Sequence, residues 1–409
     1  MRIAAIALLC LFPLPVAAES YLIADIEFRD NDTTRSSTML QELTFSAGQT
    51  VSDEEIEAGR QAIMNLGLFK RVSADLERRD GETVLIYSVN EKRYLLVLPR
   101  LSRSGDGDWS WGARLRWDNL AGRNRRLDIG VRRKDLKDSD IEQEDQVSVE
   151  YLLPRIWGSP YDLGFEIRSE DIEIDEERDE FEGRYNQQLD SLRVEVSRWL
   201  RETGPSSGWR LLGQMRYEDY VNDFLSGDNG LFFDTRVVTL TLGTEYHDVQ
   251  DLLYSRTGQH FGYLLELASD GLGSESSFVR HSAFYRGYRH VTARPHTSLN
   301  YQVRYGTSSG SVFGDPSYSI GGNSTMRGFE REALEGESYF IANIEFITPL
   351  FGHKTFRGAL FTDIGGAFDD SASSDASAIE AGVGVGIRYK LRSFVRTDLR
   401  LDIAYGFGD

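Results

Sequence analysis

From Arg93 to the end, the chain repeats one pattern: a run of alternating polar and apolar residues, a few turn residues, then another run. In LRVEVSR, Leu192, Val194 and Val196 face one way while Arg193, Glu195 and Ser197 face the other. In RTDLRLDIAY, Leu399, Leu401, Ile403 and Tyr405 share one face, and Asp398, Arg400 and Asp402 share the opposite one. A period of two is that of a β-strand. A soluble sandwich would bury the apolar face in protein, whereas a membrane barrel gives it to lipid and turns the charges inward to water. Charges repeated on the inner face of many strands favour the barrel.

Charged residues make up 27% of the chain and hydrophobic ones 40%. Beyond the N-terminus no window offers the roughly 18 consecutive apolar residues of a spanning helix, so a helical membrane protein is excluded. A net charge of −19 argues against nucleic acid, whose phosphates call for clustered Lys and Arg. The single cysteine, Cys10, lies in the leader, which leaves the mature chain without an internal disulfide.

Residues 1–18 carry a basic Arg2, an apolar run broken by Pro13 and Pro15, and a small-residue Val16-Ala17-Ala18 cleavage site, the marks of a secretory signal peptide. Residues 19–92 read as a compact α+β domain in the order strand, helix, helix, strand, strand. Ser52 caps the longer helix with Glu55 completing a capping box, and Ile56, Ile63 and Leu66 mark its apolar face. VSADLERR and TVLIYSVN follow as a hairpin around Asp80-Gly81. Residues 93–409 hold about fifteen segments long enough to cross a membrane, from Tyr94–Ser102 to Val395–Tyr405, where single-chain bacterial barrels are even-numbered.

Between two of these runs lies GGNSTMRGF, in which the pair Gly321-Gly322 permits a sharp turn and Arg327-Gly328-Phe329 presents a forked cation beside an aromatic anchor. The following strands answer with acids. In IANIEFITPL, Phe340, Ala342, Ile344 and Phe346 form the apolar face, so Asn343 and Glu345 point inward; in ALFTDIGGAF the same alternation turns Arg357 and Asp363 into the lumen.

These segments, in this order, resemble the surface-antigen superfamily of outer-membrane barrels, which includes BamA, TamA and the two-partner secretion transporters. The resemblance implies a mainly β fold: a transmembrane antiparallel barrel of sixteen strands preceded by one α+β POTRA domain. The closing strand is the one not found, which suggests a truncated sequence. The resemblance further implies that Arg327, Gly328 and Phe329 fold back into the barrel and meet Glu345 and Asp363 as a latch. It makes the Val72, Ser73, Ala74, Asp75, Leu76 strand an edge that takes up an extended client by strand addition.

The implied partners are unfolded outer-membrane or secreted polypeptides, outer-membrane lipid and lipopolysaccharide, and periplasmic accessory proteins. The implied location is the bacterial outer membrane, with the POTRA domain in the periplasm. The implied function is assembly and insertion of outer-membrane proteins or polypeptide translocation. A dedicated transporter for one passenger and a passive pore or receptor are the alternatives.

Other chemistry finds little support. The Gly-x-Ser-x-Gly matches at Gly204–Gly208 and Gly306–Gly310 read as turns, without the strand-to-helix elbow that a serine nucleophile needs. The GVGVG run from Gly382 lacks a following helix to hold phosphate and reads as small residues facing the lumen. The acidic run Ser169 to Glu182 reads as a solvated outer loop, lacking the central glycine of an EF-hand. Six histidines, none in a His-Glu-x-x-His pattern, give no metal site. No catalytic residue and no cofactor are expected.

Overall fold

The computed structural model describes residues 19–103, 109–135, 143–178, 181–200, 207–228, 233–291, 294–310, 318–369 and 379–408. The expected signal peptide, 1–18, lies outside them. The N-terminal unit comprises β1 (Ser20–Arg29), α1 (Ser36–Leu40), β2 (Thr50–Ser52), α2 (Asp53–Asn65), β3 (Phe69–Arg79) and β4 (Glu82–Glu91). Its sheet runs β2-β1-β4-β3, with β1 and β4 parallel and the other pairs antiparallel. The short β2 has no counterpart in the sequence reading.

Helix α2 begins as its sequence dictates. The Glu55 N–H donates to Ser52 Oγ at 3.3 Å and the Ser52 N–H donates to the Glu55 carboxylate at 2.8 Å, satisfying two N-terminal donors. Ile56, Ile63 and Leu66 are buried in one cluster with Leu85 and Tyr87 of the sheet. Asp80 and Gly81 both adopt positive φ, the twist that suits a two-residue hairpin between β3 and β4.

The second unit is an antiparallel sheet of fifteen strands. It starts with β5 (Leu95–Arg103), β6 (Trp109–Leu120), β7 (Arg125–Asp135), β8 (Gln143–Leu153), β9 (Tyr161–Arg178) and β10 (Phe181–Trp199). It continues through β11 (Ser207–Gly227), β12 (Thr235–Asp251), β13 (Arg256–Ala268), β14 (Phe278–His290) and β15 (Ser298–Gly310). A small hairpin, β16 (Tyr318–Ile320) and β17 (Leu334–Gly336), stands apart from it, and β18 (Ser338–Leu350), β19 (His353–Phe368), β20 (Glu380–Lys390) and β21 (Asp398–Phe407) complete the wall. Each of the fifteen strands of the wall falls on one of the expected crossings, and the β16–β17 hairpin falls on none.

Strands β5 and β21 are the sheet's two edges. With an odd count they run in the same direction, and at their bases Arg93 and Phe394 form a parallel bridge, the Arg93 N–H donating to the Ser393 carbonyl at 2.6 Å. The outer face is apolar and open: Leu401 is 66% exposed and Ile403 73%. Inside, charges pair across neighbouring strands, as in Arg114–Asp128 at 2.7 Å and Arg210–Glu245 at 2.8 Å.

Two expectations are corrected. Ser169–Arg178 is not loop but the end of β9, paired with β10, because Ile172 and Ile174 keep the alternation going between the acids. Gly306–Gly310 lies inside β15, paired with β14, rather than in a turn. Of the other Gly-x-Ser-x-Gly match, residues 204–206 lie outside the described residues.

The N-terminal unit sits on the turns at one end of the sheet. Asn119 donates to Thr34 Oγ1 at 2.8 Å, the Arg35 N–H and Thr38 Oγ1 donate to the Gly122 carbonyl at 3.0 and 2.9 Å, and the Asp251 N–H donates to Asn65 Oδ1 at 3.0 Å. Arg396 donates to the Leu66 carbonyl at 3.1 Å, and Val395 joins the unit's own hydrophobic core. These turns belong to the β6–β7, β12–β13 and β20–β21 hairpins, which are spread around the sheet, so the domain bridges the mouth instead of leaning on one side.

Candidate functional site

The 318–337 segment leaves the opposite end of the sheet from the N-terminal unit and turns inward. Its hairpin pairs Ile320 with Leu334, and Ile320 and Met326 bury against Ile341 of β18. This small apolar cluster fixes the loop's fold before any charge is counted. Gly321 and Gly322 have φ of 141° and 76°, and Thr325 Oγ1 accepts the Gly321 N–H at 2.7 Å, closing the turn.

The tip meets the wall at Arg327. Its Nε and Nη2 donate to the two oxygens of Asp363 at 2.6 and 2.7 Å, and its own N–H donates to the same carboxylate at 3.0 Å. A bidentate fork plus a backbone donor fixes both orientation and position. Arg327 Nη1 reaches Glu345 at 3.4 Å and lies 3.7 Å from Asp402. Asp363 is fully buried and Arg327 nearly so.

Several contributors were not expected from sequence. Asn343 donates to Asp363 at 2.8 Å and to the Thr325 carbonyl at 2.8 Å, tying wall and loop together. Arg388 pairs with Glu345 and, at 2.5 Å, with Asp402, while Arg400 also pairs with Asp402. The guanidinium of Arg327 lies 3.4 Å from the centre of the Phe361 ring. Three guanidiniums thus face three carboxylates, a balanced set in which losing one member leaves a charge uncompensated. The lumen-facing Arg357 is not among them; it bonds to the Tyr254 carbonyl and lies 3.5 Å from Asp398, near the mouth.

Sheet register explains why the tip fits here. Asn343, Asp363, Gly382 and Gly406 form one continuous row across β18 to β21. The first two are the polar anchors and the last two are bare backbone. A Cβ on Gly406 would meet the Gly328 carbonyl and the Phe329 ring at 2.8 and 2.9 Å, and one on Gly328, whose φ is 97°, would strike the β21 backbone at 2.6 Å. Gly382, the first glycine of the GVGVG run, and Gly406 of β21 therefore supply the floor on which Arg327, Gly328 and Phe329 rest.

In the N-terminal unit, Val72, Ser73, Ala74, Asp75 and Leu76 lie on β3, which is an edge of its sheet. Val72 is buried and Asp75 and Leu76 are exposed. Arg60 of α2 donates to the Val72 carbonyl at 3.4 Å, so this end of the edge carries a long bond from the protein itself. Among the described residues no cluster of three or more His, Cys, Asp or Glu has a metal-holding geometry.

Fold and site together define a β-barrel of the outer-membrane type, carrying one POTRA module and a loop folded back into the lumen. The family model described as the Omp85 superfamily domain matches residues 119–408, and the one described as POTRA, surface antigen variable number repeat, matches residues 21–92. The chain belongs to the Omp85 superfamily.

Among solved structures it is similar to BamA from Haemophilus ducreyi lacking POTRA domains 1–3, at 16% identity and TM-score 0.55, covering 95% of this chain and 81% of that one. CdiB from Acinetobacter baumannii matches at 16% identity and TM-score 0.62, covering 95% and 70%. CdiB from Escherichia coli matches at 15% identity and TM-score 0.65, covering 94% and 76%. At these identities the likeness is one of fold.

Proposed function

We propose that this protein is an outer-membrane assembly or translocation factor with its POTRA domain in the periplasm. The β3 edge takes up an extended client segment through main-chain hydrogen bonds, which suits many client sequences provided they are extended. The barrel, latched by Gly321, Gly322, Arg327, Gly328, Phe329, Glu345 and Asp363, then inserts that client into the bilayer or passes it across. The driving force is the client's own folding.

The observation that carries this reading is the seating of Arg327. The tip rests on β20 and β21, next to the sheet edge, on a floor cleared by Gly382 and Gly406. A loop held by a balanced ion cluster beside an edge strand is suited to setting the position of that edge, and none of its groups is arranged as a nucleophile with its base.

The test reconstitutes the protein in preformed liposomes and follows the folding of a urea-unfolded barrel protein into them, against empty liposomes and the Arg327→Ala variant. Acceleration by the wild type but not the variant supports both insertion and the latch. Acceleration by both keeps insertion and removes the latch role. No acceleration by either rejects general insertion and turns attention to a dedicated passenger.

A further inference from the structure

Where the POTRA domain spans the barrel mouth, an acid is buried without a hydrogen-bonding partner among the described residues. Glu42, just beyond α1, is 3% exposed, and among the described residues its Oε2 makes no hydrogen bond. The nearest cation, Arg155 in the β8–β9 turn, holds its Nε 3.7 Å from Glu42 Oε1, and that Nε is likewise unpartnered. Both line a cavity of about 320 Å³ between domain and barrel, in which Glu42 is the domain's only acid.

The barrel side of the cavity adds the cations Arg123, Arg210 and Arg396, the acids Asp162 and Glu245, and the histidines His247 and His260. Most of these are committed elsewhere. Asp162 accepts the Arg155 N–H at 2.9 Å and the Trp199 indole at 3.1 Å, Arg210 bonds Glu245 at 2.8 Å, and Arg396 bonds the Leu66 carbonyl. Arg155, at 3.7 Å, offsets only part of the charge of an ionised Glu42 in the seated domain, and the rest of the cost of burying it is relieved when the domain lifts and water returns.

We propose that the POTRA domain is a proton-linked plug: Glu42 carries a proton while the domain is seated on the barrel mouth and releases it when the domain lifts away. Burial pushes the seated Glu42 up to about 7, with Arg155 opposing the rise and Asp162 adding to it. Released into water it returns to the ordinary value of 4.5. The proton's contribution to seating is therefore complete below the ordinary value and is lost as pH rises through the seated one, a change of roughly three-hundredfold in the seating equilibrium. Acid closes the mouth. This linkage holds whether the barrel inserts clients or only conducts.

The experiment places spin labels at Arg78→Cys on the exposed β3 edge and Phe351→Cys in an exposed barrel turn, and measures their distance distribution by pulsed EPR in nanodiscs between pH 4.5 and 8.5. The wild type should give one narrow distance in acid and a broad, longer distribution at high pH. Glu42→Gln, permanently neutral, should stay narrow throughout. Arg155→Met, which removes the opposing cation, should move the transition to higher pH.

A pH-independent wild type overturns the proposal. So does a Glu42→Gln variant that keeps the wild-type transition, since the titrating group would then lie elsewhere. Should Glu42→Gln not fold, the direction of the Arg155→Met shift decides: an unchanged or lowered midpoint rejects Glu42.

Discussion

A Cβ placed on Gly382 would stand 2.3 Å from the backbone oxygen of Arg327. The glycine is thus part of the loop's seat, although it makes no side-chain contact. Gly382→Ala should lift the tip from the wall at a cost of about 1–3 kcal/mol, the usual penalty of overpacking. Gly213 in β11, where a Cβ would meet nothing within 4 Å, supplies the control. Limited proteolysis of the 318–337 segment should be faster in Gly382→Ala and unchanged in Gly213→Ala; equal rates in the two would show that the tip is not held by that contact.

The ion cluster makes a separate prediction. Arg327→Ala leaves the fully buried Asp363 without its guanidinium partner, held only by Asn343 and the backbone N–H of residue 327, and removing one partner of such a pair costs about 3–5 kcal/mol. Arg327→Lys should recover little of this, because an ammonium cannot serve both Asp363 oxygens and Glu345 from one planar fork. Replacing both partners, as Arg327→Met with Asp363→Leu, should be milder than either single change. Thermal loss of the strand signal in circular dichroism ranks the four proteins, and a lysine variant as stable as wild type would dismiss the bidentate argument.

The strands were legible because a period of two survives even where composition misleads. The acidic stretch of β9 reads as solvated loop by its charge, yet Ile172 and Ile174 hold the alternation, and pairing with β10 supplies the backbone bonds. Gly306–Gly310 reads as a turn by its Gly and Ser content, but its neighbours on β14 decide otherwise.

The candidate site was legible only in part. Arg327, Glu345 and Asp363 stand out as inward charges near a glycine-rich loop. Phe361, Arg388 and Asp402 join them through the register of four adjacent strands, which no local pattern reports. Seating of the POTRA domain on the barrel was hidden for a similar reason, since it relies on turn carbonyls such as those of Gly122 and Asp251.

The two edges of the POTRA sheet should behave differently toward a client. Strand β3 offers eleven residues, whereas β2 offers three. Main-chain pairing gains with each further residue, so a photo-crosslinking residue at Asp75 should capture an extended peptide and one at Thr50 should not. Capture at both positions with equal yield would point to a sticky surface rather than strand addition.

Val395 links the two units most directly. It is 3% exposed and buried in the POTRA core although it belongs to the turn that leads into β21. Arg396 beside it donates to the last turn of α2, and Arg93 bridges the same turn to the start of β5. Movement of the POTRA domain must therefore pull on the bases of both edge strands. Val395→Asp would bury an unpaired carboxylate in that core and should unseat the domain at every pH, without disturbing Arg327 at the far end of the barrel. Ion conductance across planar bilayers should rise in this variant relative to wild type at low pH, while proteolysis of the 318–337 segment stays at the wild-type rate. If conductance stays at the wild-type level, the seated domain does not close the mouth; if the loop loosens as well, the two ends of the barrel are coupled through β21.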